Sequence, residues 1–337
     1  MKRITFSIAI VILIILLSVS CSDANRKIEA KRIEPIILND CLITHFPGKL
    51  LVNEKYIVWQ HSGASDNFLH IHSIENGAEL AKAGNLGSGP KEFSTPKPFT
   101  IRNNNIYVWD LNSSKEAMIS IDSAINGKLS TILLNGREKS GTHEIVSIND
   151  SVRIALRATD STLFQLWSPL QNINFGKTPI NERIENHFDI YQGNILYNDE
   201  KSLLVHTNIL IPYLAIYKYK NNSFTLASEN NMLDEVSVKQ NFFIRNPAKL
   251  GIWASTLTKD YIACLQRDYA SDNIDESTIG RDFTKAPRTI FLYDYIGNVV
   301  MKISSEYPII RIASNTSDNN IYAIIIDEEF KIAKFEI

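Results

Sequence analysis

A short strand pattern of β-branched and aromatic residues recurs six times along the chain, each time directly after a polar turn. The copies begin at residues 55, 105, 151, 202, 261 and 320. Their spacings of about 45 to 60 residues are close to the periods typical of repeat architectures. Each copy therefore indicates one structural unit, which predicts an architecture but not a chemistry.

The segments between these copies also read as strands, and none has the pattern of a convincing helix. Further apolar runs follow most of the copies and lead into turns that carry Asn or Gly, at residues 75–77, 125–127, 220–222 and 296–298. Asn and Gly tolerate the positive φ that tight hairpins require. The unit reads strand, connection, strand, turn, strand and a longer link, which predicts the blade of a β-propeller.

The number of units predicts an all-β fold, a six-bladed β-propeller. Six units of about 50 residues fill residues 33–337 as one domain. The last unit shows only three strands, at residues 309–313, 321–326 and 331–337. We therefore expect residues 28–38 to join this last blade as its missing strand, which closes the ring and leaves no open edge there.

The N-terminus has the pattern of a signal peptide. A basic start, MKR, precedes an unbroken apolar run at residues 8–17. Such a run is too short to span a bilayer core of about 30 Å but suits the central region of a signal peptide. Residues 18–21 read SVSC and resemble the lipobox of bacterial lipoproteins, which implies that Cys21 receives a lipid on its thiol. The alternative is an ordinary signal peptide cut near Ser20, with Cys21 incidental.

The lipobox resemblance divides the chain into a signal peptide at residues 1–20, a lipidated tether at 21–32 and the propeller at 33–337. Acyl chains hold a protein at a membrane surface without a spanning helix. Ser22, rather than an aspartate, follows Cys21, which in lipoprotein sorting implies delivery to the outer membrane. We therefore expect a lipid-anchored protein of the cell envelope.

Composition excludes one class of partner. The net charge is −2 and the pI is about 6.4, so no basic field is available to hold a nucleic acid. The hydrophobic content of 44% is enough for a sizeable core. Cys41 and Cys264 both lie among apolar strand residues, so we expect two buried free thiols, and a disulfide between them is the alternative.

One segment carries a family resemblance. Residues 84–93 read GNLGSGPKEF and precede the strand IYVWD at residues 106–110. This stretch resembles the G-x-G-P-x-E-F segment of the six-bladed, TolB-like propeller lipoproteins common in Bacteroidetes, which are themselves similar to NHL-repeat propellers. The WD40 and kelch subfamilies do not fit, because only one Trp-Asp pair occurs and no glycines are adjacent. The family is largely without an assigned activity, so the resemblance implies architecture and lipoprotein status rather than a reaction.

The same segment supplies the candidate ligand-binding residues, Lys91 and Glu92. It does not fit a phosphate loop, because Pro90 separates Gly89 from Lys91 and no Ser or Thr follows the lysine. The order of its glycines, G-x-x-G-x-G, does not fit a dinucleotide fingerprint either. Two interpretations stay open: a ligand contact near the channel mouth, and a link between blades in which Phe93 packs between sheets and Glu92 is hydrogen-bonded locally.

No metal site, cofactor or catalytic residue is predicted. His70 and His72 lie two apart on a predicted strand and therefore share a face, but no third ligand can be nominated beside them. An acidic stretch after residue 267 lacks the spacing of a calcium loop. Its acidic residues are Asp268, Asp272, Asp275, Glu276 and Asp282.

Function is predicted only by class. The leading expectation is a binding or scaffolding module for a glycan, a peptide or a partner protein, because propeller loops converge on one face. The alternative is a metal-dependent enzyme acting on a sugar lactone or glycan at the channel mouth. Inward Asp, Glu and Asn would favour the enzyme, and an apolar or Arg/Tyr-lined mouth would favour binding. Four tryptophans are expected in the core, with sugar stacking as the alternative: Trp59, Trp109, Trp167 and Trp253.

Overall fold

The computed structural model describes residues 28–128, 130–134, 141–159, 161–169, 171–231, 238–244, 251–268 and 283–337. The predicted signal peptide and Cys21 lie outside the described residues, as do Asp272, Asp275, Glu276 and Asp282 of the acidic stretch. No helix among the residues described is long and apolar enough to cross a membrane.

Two N-terminal strands precede the first blade, and three complete blades follow them. The N-terminal strands are β1 (Ala30–Arg32) and β2 (Ile36–Leu42). Blade one has β3 (Phe46–Val52), β4 (Tyr56–Ser62), β5 (Asn67–Ser73) and β6 (Glu79–Asn85). Blade two has β7 (Pro96–Arg102), β8 (Asn105–Asp110), β9 (Glu116–Ser120) and β10 (Thr131–Leu134). Blade three has β11 (Glu144–Ser147), β12 (Arg153–Leu156), β13 (Phe164–Trp167) and β14 (Asn172–Phe175).

The second half of the chain forms the other three blades. Blade four has β15 (Gly193–Asn198), β16 (Leu203–Asn208), β17 (Tyr213–Lys220) and β18 (Ser223–Asn231). A short hairpin follows, formed by β19 (Val238–Lys239) and β20 (Phe242–Phe243). Blade five has β21 (Ala254–Leu257), β22 (Ile262–Gln266), β23 (Thr289–Tyr293) and β24 (Val299–Ser304). Blade six has β25 (Ile309–Ala313), β26 (Ile321–Asp327) and β27 (Glu329–Phe335).

The six sheets stand in a ring around a central channel. The first strand of each blade is innermost and contacts the first strand of the next blade, and β25 of blade six contacts β3 of blade one. The inner strands all run in the same direction along the channel, because each is the first strand of an equivalent antiparallel sheet. Residues at the starts of these strands therefore meet at one end of the channel, and residues at their ends meet at the other.

The six copies of the strand pattern are the second strands of the six blades, which confirms the predicted repeat. These strands are buried on both faces, since each blade packs between two others. Fully buried apolar residues occur in all six: Ile57, Ile106, Ile154, Leu204, Ile262 and Ile324. A strand covered on both faces reads as a continuous apolar run, which is why the sequence shows it clearly.

The ring is closed by an N-terminal strand in the last blade, as predicted, but the strand lies further along the chain. Strand β2 pairs antiparallel with β27, and Ile37 stands opposite Ala333. Strand β1 instead pairs in parallel with β24 and adds a fifth strand to blade five. Pro35 lies between β1 and β2 and has no N–H to donate to a ladder, so the expected single strand is split in two.

Two further expectations need correction. Cys264 is buried in β22 as predicted, and burial raises the pKa of its thiol, but Cys41 is exposed because it lies on the outermost strand of blade six. Both thiols are free.

The described residues also contain two short helices, α1 (Ile121–Ile125) and α2 (His187–Ile190), and a 3-10 turn at Phe283–Lys285. Helix α1 forms where a plain turn was expected, because the Ser120 side chain accepts a hydrogen bond from the Ser123 N–H at 3.2 Å.

Candidate functional site

The channel encloses a cavity of about 840 Å³, and residues of all six inner strands line it. We call the end at which the inner strands begin the front mouth, and the opposite end the rear mouth. The side chains that define the front mouth are Lys49, Lys97, Glu144, Trp253 and Arg311. Sequence reasoning pointed to none of these residues except Trp253.

An ion cluster joins three blades at the front mouth. The Lys49 Nζ of blade one lies 3.3 Å from Glu144 Oε2 of blade three, and the Lys97 Nζ of blade two lies 3.7 Å from the same oxygen. Lys97 also donates to the carbonyl of His143. Burial alone would raise the pKa of Glu144, but the two ammonium groups lower it below the usual range. Glu144 is therefore ionised at neutral pH and counters two cations.

A third cation, Arg311, lies in the middle of β25. The Arg311 Nε donates to the Gly48 carbonyl at 2.8 Å, and Nη1 donates to the Ile310 carbonyl at 2.9 Å. The guanidinium also lies over the ring of Phe46, 4.7 Å from its centroid. Burial lowers the pKa of Arg311 to about 10, so it stays charged at neutral pH. Among the residues described, the front mouth therefore carries three positive charges and one negative charge.

Gly48 leaves room for side chains of β4 beside the backbone of β3. A Cβ at this position would stand 2.7 Å from the Gln60 Oε1. Gln60 accepts from the Lys49 N–H at 3.3 Å and donates to the Pro96 carbonyl at 2.8 Å. The first hydrogen bond fixes Gln60 against β3, and the second joins blade one to β7 of blade two. The backbone segments that carry Lys49 and Lys97 are therefore linked to each other.

The four tryptophans divide into two groups. Trp59, Trp109 and Trp167 are buried between blades, which confirms the expected core role for these three. Trp253 is 36% exposed and lines the channel cavity, and its indole N–H donates to the Ile310 carbonyl at 3.2 Å. A fixed, partly exposed indole beside charged groups is a surface on which a sugar ring can stack.

The rear mouth is organised differently. Arg102 at the end of β7 donates to the Ile148 carbonyl at 2.7 Å and lies 3.7 Å from Asp150 and 3.8 Å from Asp199. The charge of Arg102 is thus shared between a carboxylate of blade three and a carboxylate of blade four. Several asparagines also lie here, but Asn53 and Asn104 bond each other at 3.2 Å and serve the local turns. The rear mouth therefore links blades and offers little excess charge.

Lys91 and Glu92 do not line the channel cavity. The Glu92 carboxylate accepts from the Gly89 N–H at 2.7 Å, within its own loop, and Lys91 is exposed. Phe93 is fully buried and meets Phe68 edge to face. These contacts agree with the structural interpretation of the segment as a link between blades. No contact tests a ligand role for Lys91 and Glu92, and that role stays a prediction.

The histidines of β5 share a face, as predicted, and the third group that the sequence could not supply is Glu79 on β6. Ligand atoms of His70, His72 and Glu79 lie within 4.8 Å of one another, the one such group of three within the part of the chain described. This group lies away from the channel. Among the described residues, the carboxylates of the channel cavity wall are Glu54, Glu144 and Glu200, and these three do not form such a group.

The residues of the front mouth could have been suspected from one signal. Arg311 interrupts the apolar run of β25, and Lys49 interrupts that of β3, where a buried strand would carry apolar side chains. A charge in such a run is expensive to bury without a partner. The partners lie on other blades, which sequence patterns cannot bring together.

A ring of six four- or five-stranded sheets around a polar channel, closed by an N-terminal strand, defines a six-bladed β-propeller. The chain belongs to the TolB-like 6-blade propeller-like family, which it matches over residues 29–317. The resemblance read from residues 84–93 is thereby confirmed.

Two solved structures from Bacteroides are similar to the chain. One is a member of the DUF4221 family from Bacteroides vulgatus ATCC 8482, with 12% identity and a TM-score of 0.58, covering 92% of this chain and 98% of the other. The second, from Bacteroides fragilis NCTC 9343, has a name that describes an exported protein. It has 12% identity and a TM-score of 0.61 and covers 92% of this chain and 96% of the other. At this identity the likeness shows the fold alone. No curated protein matches the chain.

Proposed function

We propose that this protein is a lipid-anchored binding module of the cell envelope that holds a carboxylate-bearing glycan at the front mouth. The observation that carries the proposal is the convergence of Lys49 and Lys97, from two different blades, on the carboxylate of Glu144, with Arg311 of blade six lining the same cavity. The excess of positive charge inside a partly enclosed cavity attracts anions.

The exposure of the charged side chains favours an anionic ligand. The Glu144 side chain is only 9% exposed, whereas those of Lys49 and Lys97 are 28% and 30% exposed. The negative charge is therefore covered while the ammonium groups still reach the cavity. Each ammonium has three donors, so it can bind a ligand carboxylate without leaving Glu144.

Trp253 favours a glycan among the possible anions. Its partly exposed indole lies at the same mouth as the cations, so one ligand can meet both. An aromatic face suits a sugar ring, and the lysines suit an acidic substituent on that ring. A cavity of about 840 Å³ is large enough for a short oligosaccharide.

Binding is tested by applying the purified full chain to an array of acidic and neutral glycans. The wild type is compared with the double variant Lys49→Met/Lys97→Met and with Lys55→Met, which lies in the same cavity but at the rear mouth. We expect acidic glycans to be retained by the wild type and Lys55→Met and lost by the double variant. Equal retention of neutral glycans, or unchanged binding by the double variant, would contradict the proposal.

The envelope location is supported by the N-terminal pattern and by the Bacteroides fragilis protein of the same fold, whose name describes an exported protein. Cys21 is the proposed lipidation site. The variant Cys21→Ser should move the protein from the membrane fraction to the soluble fraction and abolish incorporation of labelled fatty acid, while Cys41→Ser should change neither. Membrane association of Cys21→Ser equal to wild type would remove the lipid anchor from the proposal.

A further inference from the structure

A second cavity, of about 390 Å³, lies beside blade one, and none of the described residues that line it also lines the channel cavity. Its wall includes four groups that can bind metal ions: His61 at the end of β4, His70 of β5, Asp66 of the connecting loop and the exposed Cys41 of β2. Two imidazoles, a carboxylate and a thiol in one small cavity are the ligand types that transition metals use.

The two imidazoles meet at a distance that suits a bound ion. The His61 Nδ1 lies 3.4 Å from the His70 Nε2. Two nitrogens bound to one tetrahedral ion at the usual Zn–N distance are separated by about 3.3 Å. The separation of the two nitrogens therefore already matches the separation that a shared ion requires.

Glu79 fixes which nitrogen of His70 is free. The His70 Nδ1 lies 3.2 Å from the Glu79 Oε2, and a carboxylate there can only accept, so Nδ1 carries the proton. The Nε2 lone pair then points at His61. A carboxylate behind a histidine in this way is the usual support of a metal-binding imidazole. The positive charge of the nearby Lys82 is balanced by Glu79, because the Lys82 Nζ lies 3.7 Å from the other carboxylate oxygen, Oε1.

His72 has a different role, although it shares the face of His70. Its Nε2 accepts from the Trp59 indole N–H at 3.0 Å, and its Nδ1 donates to the Gly77 carbonyl at 2.9 Å. Both ring nitrogens are thus occupied by buried hydrogen bonds. His72 holds Trp59 in place, and the Trp59 ring in turn stacks on His70 with centroids 4.4 Å apart.

We propose that His61 Nδ1 and His70 Nε2 bind one divalent transition-metal ion, oriented by Glu79, with the remaining coordination positions open to the cavity that Cys41 and Asp66 line. Zn²⁺ suits this set of imidazole, thiolate and carboxylate groups. The proposed metal site shares no lining residue with the channel cavity, so the two proposals can be tested separately.

The test is calorimetric titration of Zn²⁺ into the full chain, purified metal-free with a tag that contains no histidine. We expect one Zn²⁺ per chain and a higher melting temperature when the ion is bound, since a ligand of the native state stabilises it. The variant His61→Ala should weaken binding at least 30-fold, and Glu79→Gln should weaken it by roughly 10- to 100-fold. His187→Ala, at a histidine in the link between blades three and four, should bind as the wild type does.

Each variant is first shown to be folded by circular dichroism, so that a loss of binding is not a loss of structure. Co²⁺ provides a second readout, because a tetrahedral site gives intense visible absorption that His61→Ala should abolish. The variant Cys41→Ser shows whether the thiolate is a third ligand. Binding should weaken if Cys41 coordinates the ion and stay unchanged if water takes that position, and both results agree with an ion held by His61 and His70. Absence of stoichiometric Zn²⁺ binding by the wild type, or wild-type affinity in His61→Ala, would overturn it.

Discussion

Lys49 and Glu144 lie on the innermost strands of blades one and three, and their charged atoms are 3.3 Å apart at the front mouth of the channel. Lys97 of the blade between them reaches the same carboxylate. A single buried acid thus connects the inner strands of three blades and keeps two ammonium groups at the cavity wall. The proposed function depends on this arrangement.

Replacing Glu144 with Gln should strengthen binding of an acidic glycan, by about 3- to 10-fold, because the two lysines lose their internal anion and nothing else in the mouth changes. Stability should fall by about 1 kcal/mol, since the lysines are partly exposed and water screens the pair. Calorimetric titration and urea unfolding measure the two effects. Weaker binding would mean that Glu144 itself contacts the ligand.

Two adjacent residues test how much the closing strand β2 contributes to the free energy of unfolding. Leu42 on β2 is 3% exposed and packs in the core of blade six, whereas Ile43 is 84% exposed. Leu42→Ala should cost about 2–4 kcal/mol of unfolding free energy, and Ile43→Ala less than about 0.5 kcal/mol. Urea denaturation measures both. Equal, small effects would show that β2 contributes little to the closed ring.

His206 should make stability depend on pH. The side chain is fully buried, and this burial lowers its pKa to about 4 from an ordinary value of 6.5. Between these values the unfolded chain binds more protons, so stability is fully present above pH 6.5 and is lost as the pH falls toward 4. The loss should be on the order of 3 kcal/mol.

The variant His206→Asn isolates this effect, because Asn can still donate to the Asn194 carbonyl that His206 Nδ1 contacts at 3.2 Å. Unfolding free energies from pH 4 to 7 should show a weaker slope for His206→Asn than for wild type. A slope that is the same in His206→Asn and in wild type would contradict the assignment to His206.

Trp253 should affect binding and not folding. Trp253→Ala is expected to weaken acidic-glycan binding at least 10-fold with little change in unfolding free energy, because the indole is partly exposed. Trp253→Phe should retain part of the affinity. Trp167→Ala, at a buried indole, should instead destabilise the protein by about 3–5 kcal/mol. If Trp253→Ala bound the acidic glycan with wild-type affinity, the proposal that a sugar ring stacks on this indole would be contradicted.

The sequence predicted the strands that are buried on both faces and missed most of those that line the channel. A second strand such as β22 is continuously apolar, so its pattern stands out. An inner strand such as β7 faces the channel and carries Pro96, Lys97 and Pro98, so the apolar run is broken. The closing strand was predicted from the missing strand of blade six, but its position was shifted by Pro35.

The front mouth could not be predicted in the same way, because its residues meet only in the closed ring. Arg311 bonds the Gly48 carbonyl although the two are 263 residues apart in the sequence. The pairing of His70 with Glu79 is nearer in sequence, yet it needs the register of β5 and β6, which places Glu79 opposite His72. Patterns along the chain give strands, while registers and ring order decide which side chains meet.

The most direct test of the account is calorimetric titration with one acidic oligosaccharide and with its carboxyl-reduced, neutral counterpart. The two ligands differ only in the group that the front mouth is proposed to bind. We predict that wild type binds the acidic form at least 10-fold more tightly and that this preference disappears in Lys49→Met/Lys97→Met. Equal affinity of wild type for both ligands, or an unchanged preference in the double variant, would contradict the account.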